Sequence, residues 1–442
     1  MDNSFPKGDT LDYDAVSEFL ALGNYYGSRT PIKSVEKEYT HQKYELGTDH
    51  KFSLSQKPRQ LTGELPAPED PLAFFDAYFQ SLADFLGDQR ISIDLTGGYD
   101  SRLLACALRS AGVKFDAVYS DKSSDTERDI VCRVANQLKV DLKIITPEPV
   151  ASDSRIEELF SLSDGMIDLL SINSLTQIQR WRKEQGYIFA LTGAGGEVLK
   201  DFFWQQDFPA YGVKSSKLQR LVNTRMYPYF SASEWINDEK ITASSTQSGL
   251  IKHHLKPVLR ETNVKTYDAI YYEVRIREVL SALSKASEHF LPVHSPFADY
   301  SLANLGYNLR IKDRLFNRFH RSYLTSRHPE VASIPTTDGN MTASLRTRDV
   351  SADAIKFIFT KGGALIRKIS GKTSAGKAEQ SEFLSEKTTQ SLLTLEKRGI
   401  LSNKAPENAN QVPASVHGRI ITLAMLATRY DLSYKGSKPN PS

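Results

Sequence analysis

The chain has 442 residues, and 56 Lys and Arg residues against 53 Asp and Glu residues give it a formal net charge of +3. A charge so nearly balanced on so long a chain gives no general reason to expect a nucleic-acid or anionic membrane partner. The two cysteines, Cys106 and Cys132, provide neither a disulfide framework nor a zinc site. We therefore expect a reduced, cytoplasmic protein.

Apolar runs are short throughout the chain. The first residues lack the apolar core of a signal peptide. The strongest apolar run, Ile420–Ala427, is far too short for a membrane span. We expect a soluble protein that does not act in a membrane.

Residues 1–70 are expected to be an N-terminal flanking segment and linker. This polar and aromatic segment ends in a proline-rich stretch, Thr62–Pro71, which is typical of a linker. The amphipathic pattern of Leu72–Leu86 then predicts a helix.

The most informative stretch is Ile91–Arg102. A β-branched apolar run ends there in a Thr-Gly-Gly turn at Thr96, and a helical pattern begins at once. A strand that leads through a glycine turn to a helix N-terminus collects backbone N–H groups for phosphate oxygens. The Thr96 and Ser101 hydroxyls can add hydrogen bonds, and Asp100 places a carboxylate where a Mg²⁺ ion bridging the phosphates needs a ligand. An ordinary β–α turn is the alternative.

Strands and amphipathic helices alternate after this turn. The patterns predict, in order, helix Ser101–Ala111, strand Phe115–Ser120, helix Ile130–Leu138, strand Leu142–Thr146, helix Ile167–Gln185 and strand Tyr187–Leu191. Such alternation indicates a parallel sheet with right-handed crossovers, whose ligands bind at the carboxyl ends of the strands. A second glycine turn, Thr192–Glu197, follows the last of these strands.

The order Thr-Gly-Gly-Tyr-Asp-Ser at 96–101 resembles the pyrophosphate loop of the N-type ATP pyrophosphatases, within the Rossmann-like adenine nucleotide alpha-hydrolases. It looks most like the synthetase domain of asparagine synthetases, and the turn at 192–197 resembles that family's second nucleotide motif. The resemblance implies an α/β fold with a parallel sheet and a synthetase domain at 71–323. The remainder, 324–442, is expected to be helical, with a polar loop near 362–389.

The resemblance also implies the ligands. Asp100 and Glu197 would hold Mg²⁺, and ATP would contact residues around both turns: Leu95, Thr96, Gly97, Gly98, Asp100, Ser101 and Gly193. A small-molecule or peptide carboxylate would attack the α-phosphorus, pyrophosphate would leave, and ammonia or an amine would take the acyl group to form an amide. For Glu197, the alternative is a helix N-terminal acid favoured by the helix dipole.

The chain departs from the family pattern in several places. It has no glutaminase half, so ammonia would come from a separate partner, or another amine would replace it. Ala194 occupies the position of a family glutamate, which argues against aspartate as the substrate. The family's lysine is missing from Ser333–Gly339, and the candidate replacements are Arg275, Arg277, Arg321, Arg346, Arg348 and Lys361. Ala194 and the missing lysine favour a rival function, a nucleotide-binding regulatory or assembly protein without catalysis.

Other residues resemble elements of synthetase-like relatives. Arg275 and Arg277 form an R-x-R element, so we assign them to catalysis together with Glu197. On a helix the two arginines diverge, so only one is expected to face the site, and a surface salt bridge is the alternative. Glu127 occupies the position of a second-helix acid, or is a first-turn helix charge. Pro296–Asp299 is expected to be a structural turn beside the substrate pocket.

Overall fold

The structure is a computed structural model that describes residues 10–37, 43–46, 52–56, 60–62, 68–121, 124–205, 218–226, 230–259, 264–337, 342–352, 354–355 and 381–433. Strands β1 (Lys43–Leu46) and β2 (Phe52–Gln56) form an antiparallel hairpin. The other described strands are β3 (Ile91–Asp94), β4 (Asp116–Ser120), β5 (Leu142–Ile145), β6 (Phe189–Leu191) and β7 (Val293–His294). They form one sheet in the order β5-β4-β3-β6-β7.

This sheet is parallel throughout, which confirms the prediction from the alternating pattern. In register, Ile93 of β3 lies opposite Leu191 of β6, and Asp94 lies opposite Val118 of β4. The chain extends the sheet through β4 and β5 on one side of β3, and through β6 and β7 on the other. The strand order therefore reverses between β3 and β6, and ligands of open α/β sheets bind at such a point. Both glycine turns begin there, at the carboxyl ends of the adjacent strands β3 and β6.

Helices make up most of the described chain outside the sheet. They are α1 Tyr13–Leu22, α2 Pro71–Leu86, α3 Asp100–Ser110, α4 Asp125–Leu138, α5 Asp153–Ser163, α6 Asn173–Glu184, α7 Leu218–Leu221, α8 Ala243–Leu250, α9 Val264–Ile270, α10 Ser281–Glu288, α11 Tyr300–Asn308, α12 Ile311–Arg314, α13 Arg318–Arg327, α14 Pro329–Ala332, α15 Glu382–Lys397 and α16 His417–Arg429. Single π-helical segments continue α7, α8 and α9 over Val222–Met226, Ile251–Leu255 and Tyr271–Leu280. Short 3-10 turns lie at Leu169–Ile172, Gly196–Leu199, Phe230–Trp235, Lys256–Val258, Pro296–Ala298, Leu315–Asn317, Ala409–Gln411 and Ala414–Val416.

Local chemistry fixes the start of α2. Asp70 Oδ1 accepts hydrogen bonds from the backbone N–H groups of Leu72 and Ala73, at 2.9 and 3.0 Å. Pro71 begins the helix, where its missing N–H removes no helical bond. The buried ring of Phe75 then packs against Tyr323 of α13, with ring centroids 5.0 Å apart. Helix α2 thereby joins the sheet to the helices that follow it.

The N-terminal helix packs with the C-terminal helices. Val16 and Leu20 of α1 share one buried cluster with Leu395 of α15 and Leu423 of α16. Arg419 of α16 donates a hydrogen bond to the Leu20 carbonyl oxygen at 2.9 Å. The first part of the chain is thus an integral layer of the fold, while the domain boundaries at 70 and 323 remain predictions.

The polar loop predicted near 362–389 is wrong at its C-terminal end. Residues 356–380 lie outside the described residues, but α15 already begins at Glu382. The Ser381 hydroxyl caps this helix by accepting the Leu384 N–H at 3.3 Å. Leu384 packs against a buried cluster, and Thr388 is fully buried. The buried face of this helix carries small polar residues, so its composition resembles that of a loop and its amphipathic pattern is weak.

The structure also bears on the expectations drawn from composition. Both cysteines are free thiols; Cys106 is buried and Cys132 is partly buried. Within the described ranges, no helix has both the length and the apolar character that crossing a bilayer requires.

A matched pair of substitutions on α15 tests the packing of α1 against the C-terminal helices. Leu395 is fully buried and Leu393 is 46% exposed. Leu395→Ala should lower the free energy of unfolding by about 2–5 kcal/mol, because it removes buried surface and leaves a cavity. Leu393→Ala should change it by less than about 0.5 kcal/mol. Urea denaturation measures both, and equal losses would contradict the described core.

Candidate functional site

The first glycine turn closes on itself through two hydroxyl groups. The Thr96 N–H donates to Ser101 Oγ at 2.9 Å, and the Thr96 and Ser101 hydroxyl oxygens lie 2.8 Å apart. Leu95 extends β3, since its N–H donates to the Val118 carbonyl oxygen at 2.9 Å, and its side chain is fully buried. Leu95 therefore contributes only backbone to a ligand site, while the hydroxyls define the shape of the turn.

A carboxylate already binds the backbone of this turn. The Gly97 N–H donates to Glu127 Oε1 at 3.1 Å, from the first turn of α4. Glu127 is thus a first-turn helix charge that contacts the loop, and its role as the family's second-helix acid stays a prediction. A backbone N–H that receives a carboxylate oxygen is oriented to receive a phosphate oxygen as well.

The segment at 333–337, where the family's lysine was sought, does reach this turn. The Thr337 N–H donates to the Gly97 carbonyl oxygen at 3.1 Å. The buried Arg102 guanidinium donates to the carbonyl oxygens of Ile334 at 2.8 Å and Pro335 at 2.7 Å. Asp338 and Gly339 lie outside the described residues. This segment supplies backbone support for the loop.

The second glycine turn packs directly on the first. A Cβ atom at Gly193 would lie 2.7 Å from the Ser101 backbone nitrogen, and one at Gly196 would lie 2.5 Å from Asp100 Oδ1. Only glycine permits approaches this close. The structure therefore brings the predicted residues Gly193, Asp100 and Ser101 into one site.

Asp100 lies between a lysine and a histidine. Its Oδ2 accepts a hydrogen bond from Lys200 Nζ at 2.6 Å, and its Oδ1 lies 2.9 Å from His320 Nε2. The Asp100 and Lys200 side chains are 19% and 11% exposed. Burial alone would raise the pKa of the Asp100 carboxyl, but Lys200 and His320 together lower it to about 2. The Asp100 carboxyl group is therefore ionised, and each of its two oxygens already contacts a protein group.

His320 is a neutral partner in this cluster. Burial lowers its pKa, although Asp100 opposes that shift, and the side chain is completely buried. A neutral ring beside an ionised carboxylate is assigned its proton on Nε2, from which it donates to Asp100. His320 Nδ1 is buried with no hydrogen-bond partner among the described residues. The positive charge next to Asp100 is thus the Lys200 ammonium.

A buried ion pair fixes the backbone of Lys200. Arg314 Nη2 donates to the Lys200 carbonyl oxygen at 2.7 Å, and the same guanidinium forms a salt bridge with Asp268 at 2.6 Å. Trp204 Nε1 donates to Asp268 at 3.1 Å. This arrangement holds the residue that follows the second glycine turn, so Lys200 points at Asp100 from a rigid support.

Glu197 meets a tyrosine of the long helix that follows α9. Tyr271 donates its hydroxyl proton to Glu197 Oε2 at 2.5 Å. Burial raises the pKa of Tyr271, Glu197 raises it further, and nearby Arg275 opposes the shift. Arg277 instead acts on Tyr272, whose pKa burial and Asp299 raise to about 12. The two arginines therefore act on different tyrosines, Arg275 on the one that contacts Glu197, and which of them faces the site stays a prediction.

Another predicted cation, Arg321, lies close to the first turn, with its guanidinium carbon 5.3 Å from the centroid of the Tyr99 ring. Arg321 is buried, and it donates to the carbonyl oxygens of Thr342 at 2.9 Å and Ser344 at 2.6 Å. Arg346 and Arg348 are exposed, and Lys361 lies outside the described residues. Lys200, which the sequence analysis did not single out, is the lysine at the site. Its position just beyond the second glycine turn is the one signal that pointed to it.

The Pro296–Asp299 turn lies beside the second glycine turn, as predicted. Ser295 donates a hydrogen bond to the Ala194 carbonyl oxygen, and Asp299 accepts one from Tyr78. His294 Nε2 lies 3.4 Å from Asp299. The turn acts through these contacts as a support for the Ala194 backbone.

Asp100 and Glu197 do not fit the predicted Mg²⁺ site in this arrangement. Mg²⁺ binds through carboxylate oxygens, but both Asp100 oxygens face a partner, and one Glu197 oxygen accepts from Tyr271. Among the described residues, no three His, Cys, Asp or Glu side chains are grouped to hold a metal. A divalent ion on Asp100 would also lie next to the Lys200 ammonium, and two cations at that separation repel.

Adding one methyl group tests the close contact between the turns. Gly193→Ala should lower the free energy of unfolding by about 1–3 kcal/mol, because its Cβ overlaps the Ser101 backbone. In Gly249→Ala, the control on α8, the new Cβ comes no closer than 3.9 Å to the described atoms around it, the nearest being Glu18 Oε1. That variant should be neutral or more stable by up to about 1 kcal/mol. Thermal unfolding compares the two, and an unaffected Gly193 variant would contradict the contact.

Comparison with known proteins adds no assignment to this geometry. No protein-family model matches the sequence, and no curated protein is significantly similar to it. The function must therefore be argued from the residues of the site.

Proposed function

We propose that this protein is an ATP-dependent ligase that adenylates a carboxylate, releases pyrophosphate and transfers the acyl group to ammonia or an amine, as the resemblance to asparagine synthetases implies. The observation that carries the proposal is the contact of two glycine turns at the carboxyl ends of adjacent parallel strands. Their strand order reverses at that point, where α/β sheets bind ligands.

The first turn supplies the groups that a triphosphate needs. Its Gly97 N–H already binds a carboxylate oxygen of Glu127, so an arriving phosphate takes over this donor. The N-terminus of α3 begins directly after the turn and favours negative charge. The β- and γ-phosphates would lie against Gly97, Gly98 and the Ser101 hydroxyl, leaving the α-phosphorus towards the second turn.

The proposed chemistry requires no covalent intermediate on the protein. A substrate carboxylate oxygen bonds to the α-phosphorus, and the bond from that phosphorus to the α–β bridging oxygen breaks. The amine nitrogen then bonds to the acyl carbon, AMP leaves with its carboxyl-derived oxygen, and the amine gives up a proton. The protein contributes by positioning the reactants and stabilising charge.

Two of the predicted catalytic residues are assigned to the second step. Glu197 accepts a hydrogen bond from Tyr271 at the second turn, and Arg275 lies near that pair. We assign Arg275 to the substrate carboxylate, because a guanidinium recognises carboxylates in a bidentate manner. Glu197 is the acceptor for the amine proton. Arg277 faces Tyr272 instead and has no role in this scheme.

The substrates follow from the same scheme. A small-molecule or peptide carboxylate and an amine would bind on the second-turn side, and a separate partner would supply any free ammonia. The free thiols of Cys106 and Cys132 suit the reducing cytoplasm. In this scheme Lys200, which is paired with Asp100, takes the place of the Mg²⁺ expected from the resemblance.

A second candidate function is nucleotide binding without catalysis. The observation that favours it is that protein groups occupy the site: Glu127 binds the Gly97 N–H, and Lys200 binds Asp100. Ala194 also leaves the second turn without the glutamate of the family pattern. A regulatory or assembly protein could retain the nucleotide turn in this form.

The products formed from ATP test the proposal. With a panel of carboxylates, with and without amines, we expect AMP and pyrophosphate, because the turn retains the β- and γ-phosphates as the leaving group. Ser101→Ala should lower kcat/KM by roughly tenfold, which corresponds to about 1.4 kcal/mol for one lost hydrogen bond.

Ser110→Ala, at the opposite end of α3, is the control and should leave turnover unchanged. ADP and phosphate as products would exclude adenylation. ATP binding without either pair of products, for every carboxylate tried, would favour the non-catalytic function.

A further inference from the structure

We infer that Lys200, held against Asp100, is the cation that binds the triphosphate at the first glycine turn, so that this chain binds polyphosphate without a divalent metal. The inference rests on the proposed function and names the residue that would hold its leaving group. It also gives Asp100 a different task, which is to position a lysine.

The position of Lys200 is built by the fold. Lys200 follows the second glycine turn, which begins at the carboxyl end of β6. Arg314 donates a hydrogen bond to the Lys200 carbonyl oxygen at 2.7 Å. Its Nζ then lies 2.6 Å from the Asp100 carboxylate, in the residue that follows the first turn. Asp100 can approach this closely because Gly196 has no side chain. A flexible lysine is thereby fixed against the first residue of α3, close after the first glycine turn.

The charge at this position suits an anion. The Asp100 carboxylate balances one positive charge, and the α3 N-terminus remains as a further attraction for phosphate. The Gly97 N–H adds to it once phosphate replaces the Glu127 carboxylate. An ammonium group carries three N–H donors, so it can serve a carboxylate and a phosphate oxygen at the same time. His320 donates to the second Asp100 oxygen, which keeps the carboxylate turned towards Lys200.

The same contacts oppose a metal ion on Asp100. Mg²⁺ would have to displace either Lys200 or the buried His320 from a carboxylate that both already contact. Displacing Lys200 would leave its ammonium beside a divalent ion, and the two charges repel. The lysine and the metal are therefore alternatives at this carboxylate, and both oxygens of the carboxylate already contact protein groups.

In the proposed reaction, Lys200 acts on the leaving group. When the α-phosphorus bonds to the substrate carboxylate oxygen, the electron pair of the broken bond passes to pyrophosphate. An ammonium beside the β- and γ-phosphates stabilises that added charge and keeps its proton throughout. No metal and no covalent step on the lysine is required.

Calorimetry tests the inference with ATP and with inorganic tripolyphosphate, each titrated in excess EDTA and in excess Mg²⁺. The wild-type protein should bind both in EDTA, with affinities within about threefold of those in Mg²⁺. Lys200→Met should weaken both by about 10–100-fold, the usual effect of losing a charged hydrogen bond. Lys200→Arg should restore most of this loss.

Lys183→Met is the matched control, because Lys183 is exposed at the end of α6, near the amino end of β6. Its affinities should equal those of the wild type. Circular dichroism and thermal unfolding establish that each variant folds. The wild-type titrations in EDTA test the inference even if a Lys200 variant does not fold.

Several outcomes would overturn the inference. ATP binding by the wild type only in Mg²⁺, or equal affinities for the wild type and a folded Lys200→Met variant, would each do so. Equal affinities of the wild type and Lys200→Met in EDTA, together with tighter binding by the variant once Mg²⁺ is added, would show that the lysine merely blocks a metal site.

These outcomes are separate from failure of the proposed function. A protein that binds tripolyphosphate through Lys200 but releases no AMP would contradict the ligase and support the inference. Release of AMP and pyrophosphate together with unchanged binding by Lys200→Met would contradict the inference alone.

Discussion

The candidate site depends on the contact between two backbone turns that leave adjacent parallel strands. Gly193 and Gly196 lie so close to Ser101 and Asp100 that no larger residue fits at either position without displacement. This contact sets how far β3 and β6 can spread at their carboxyl ends. It also sets where α3 begins and where Lys200 emerges, so the positions of the loop amides, the acid and the lysine follow from it.

Around this contact, charged and polar groups form a continuous chain of hydrogen bonds. Asp100 contacts Lys200, the Lys200 carbonyl contacts Arg314, and Arg314 contacts Asp268. A buried ion pair gains little net stability, because both charges lose their hydration. Its value here is geometric, since the Arg314 guanidinium has fixed donor directions and defines the path of the chain beyond the second turn. Stability comes instead from apolar packing around Phe75 and under α1.

Much of the sheet and the location of the site were predictable from sequence, because they depend on local patterns. The apolar runs before Thr96 and Thr192 predict where two strands end. Their alternation with helices predicts that the two strands are parallel. The charged contacts were not predictable in the same way. Lys200 and Asp100 are 100 positions apart, and nothing near either residue specifies the other. Arg321 was named as a cation for the site, but its charge is used by backbone carbonyl groups that no local pattern reveals.

The packing of α1 has a consequence for how the chain acquires its structure during synthesis. Arg419 bonds to the Leu20 carbonyl oxygen across 399 positions, and the buried cluster that holds the apolar face of α1 includes Ala232 of the turn at Phe230–Trp235 as well as residues of α15 and α16. A ribosome produces α1 early and its covering helices near the end, at about 5–20 residues per second. The apolar residues of α1 are therefore exposed to solvent while the sheet and both glycine turns are being synthesised. The packing of α1 with α15 and α16 therefore forms last, after the contacts of the sheet can form. Chaperones would act on α1 during that interval.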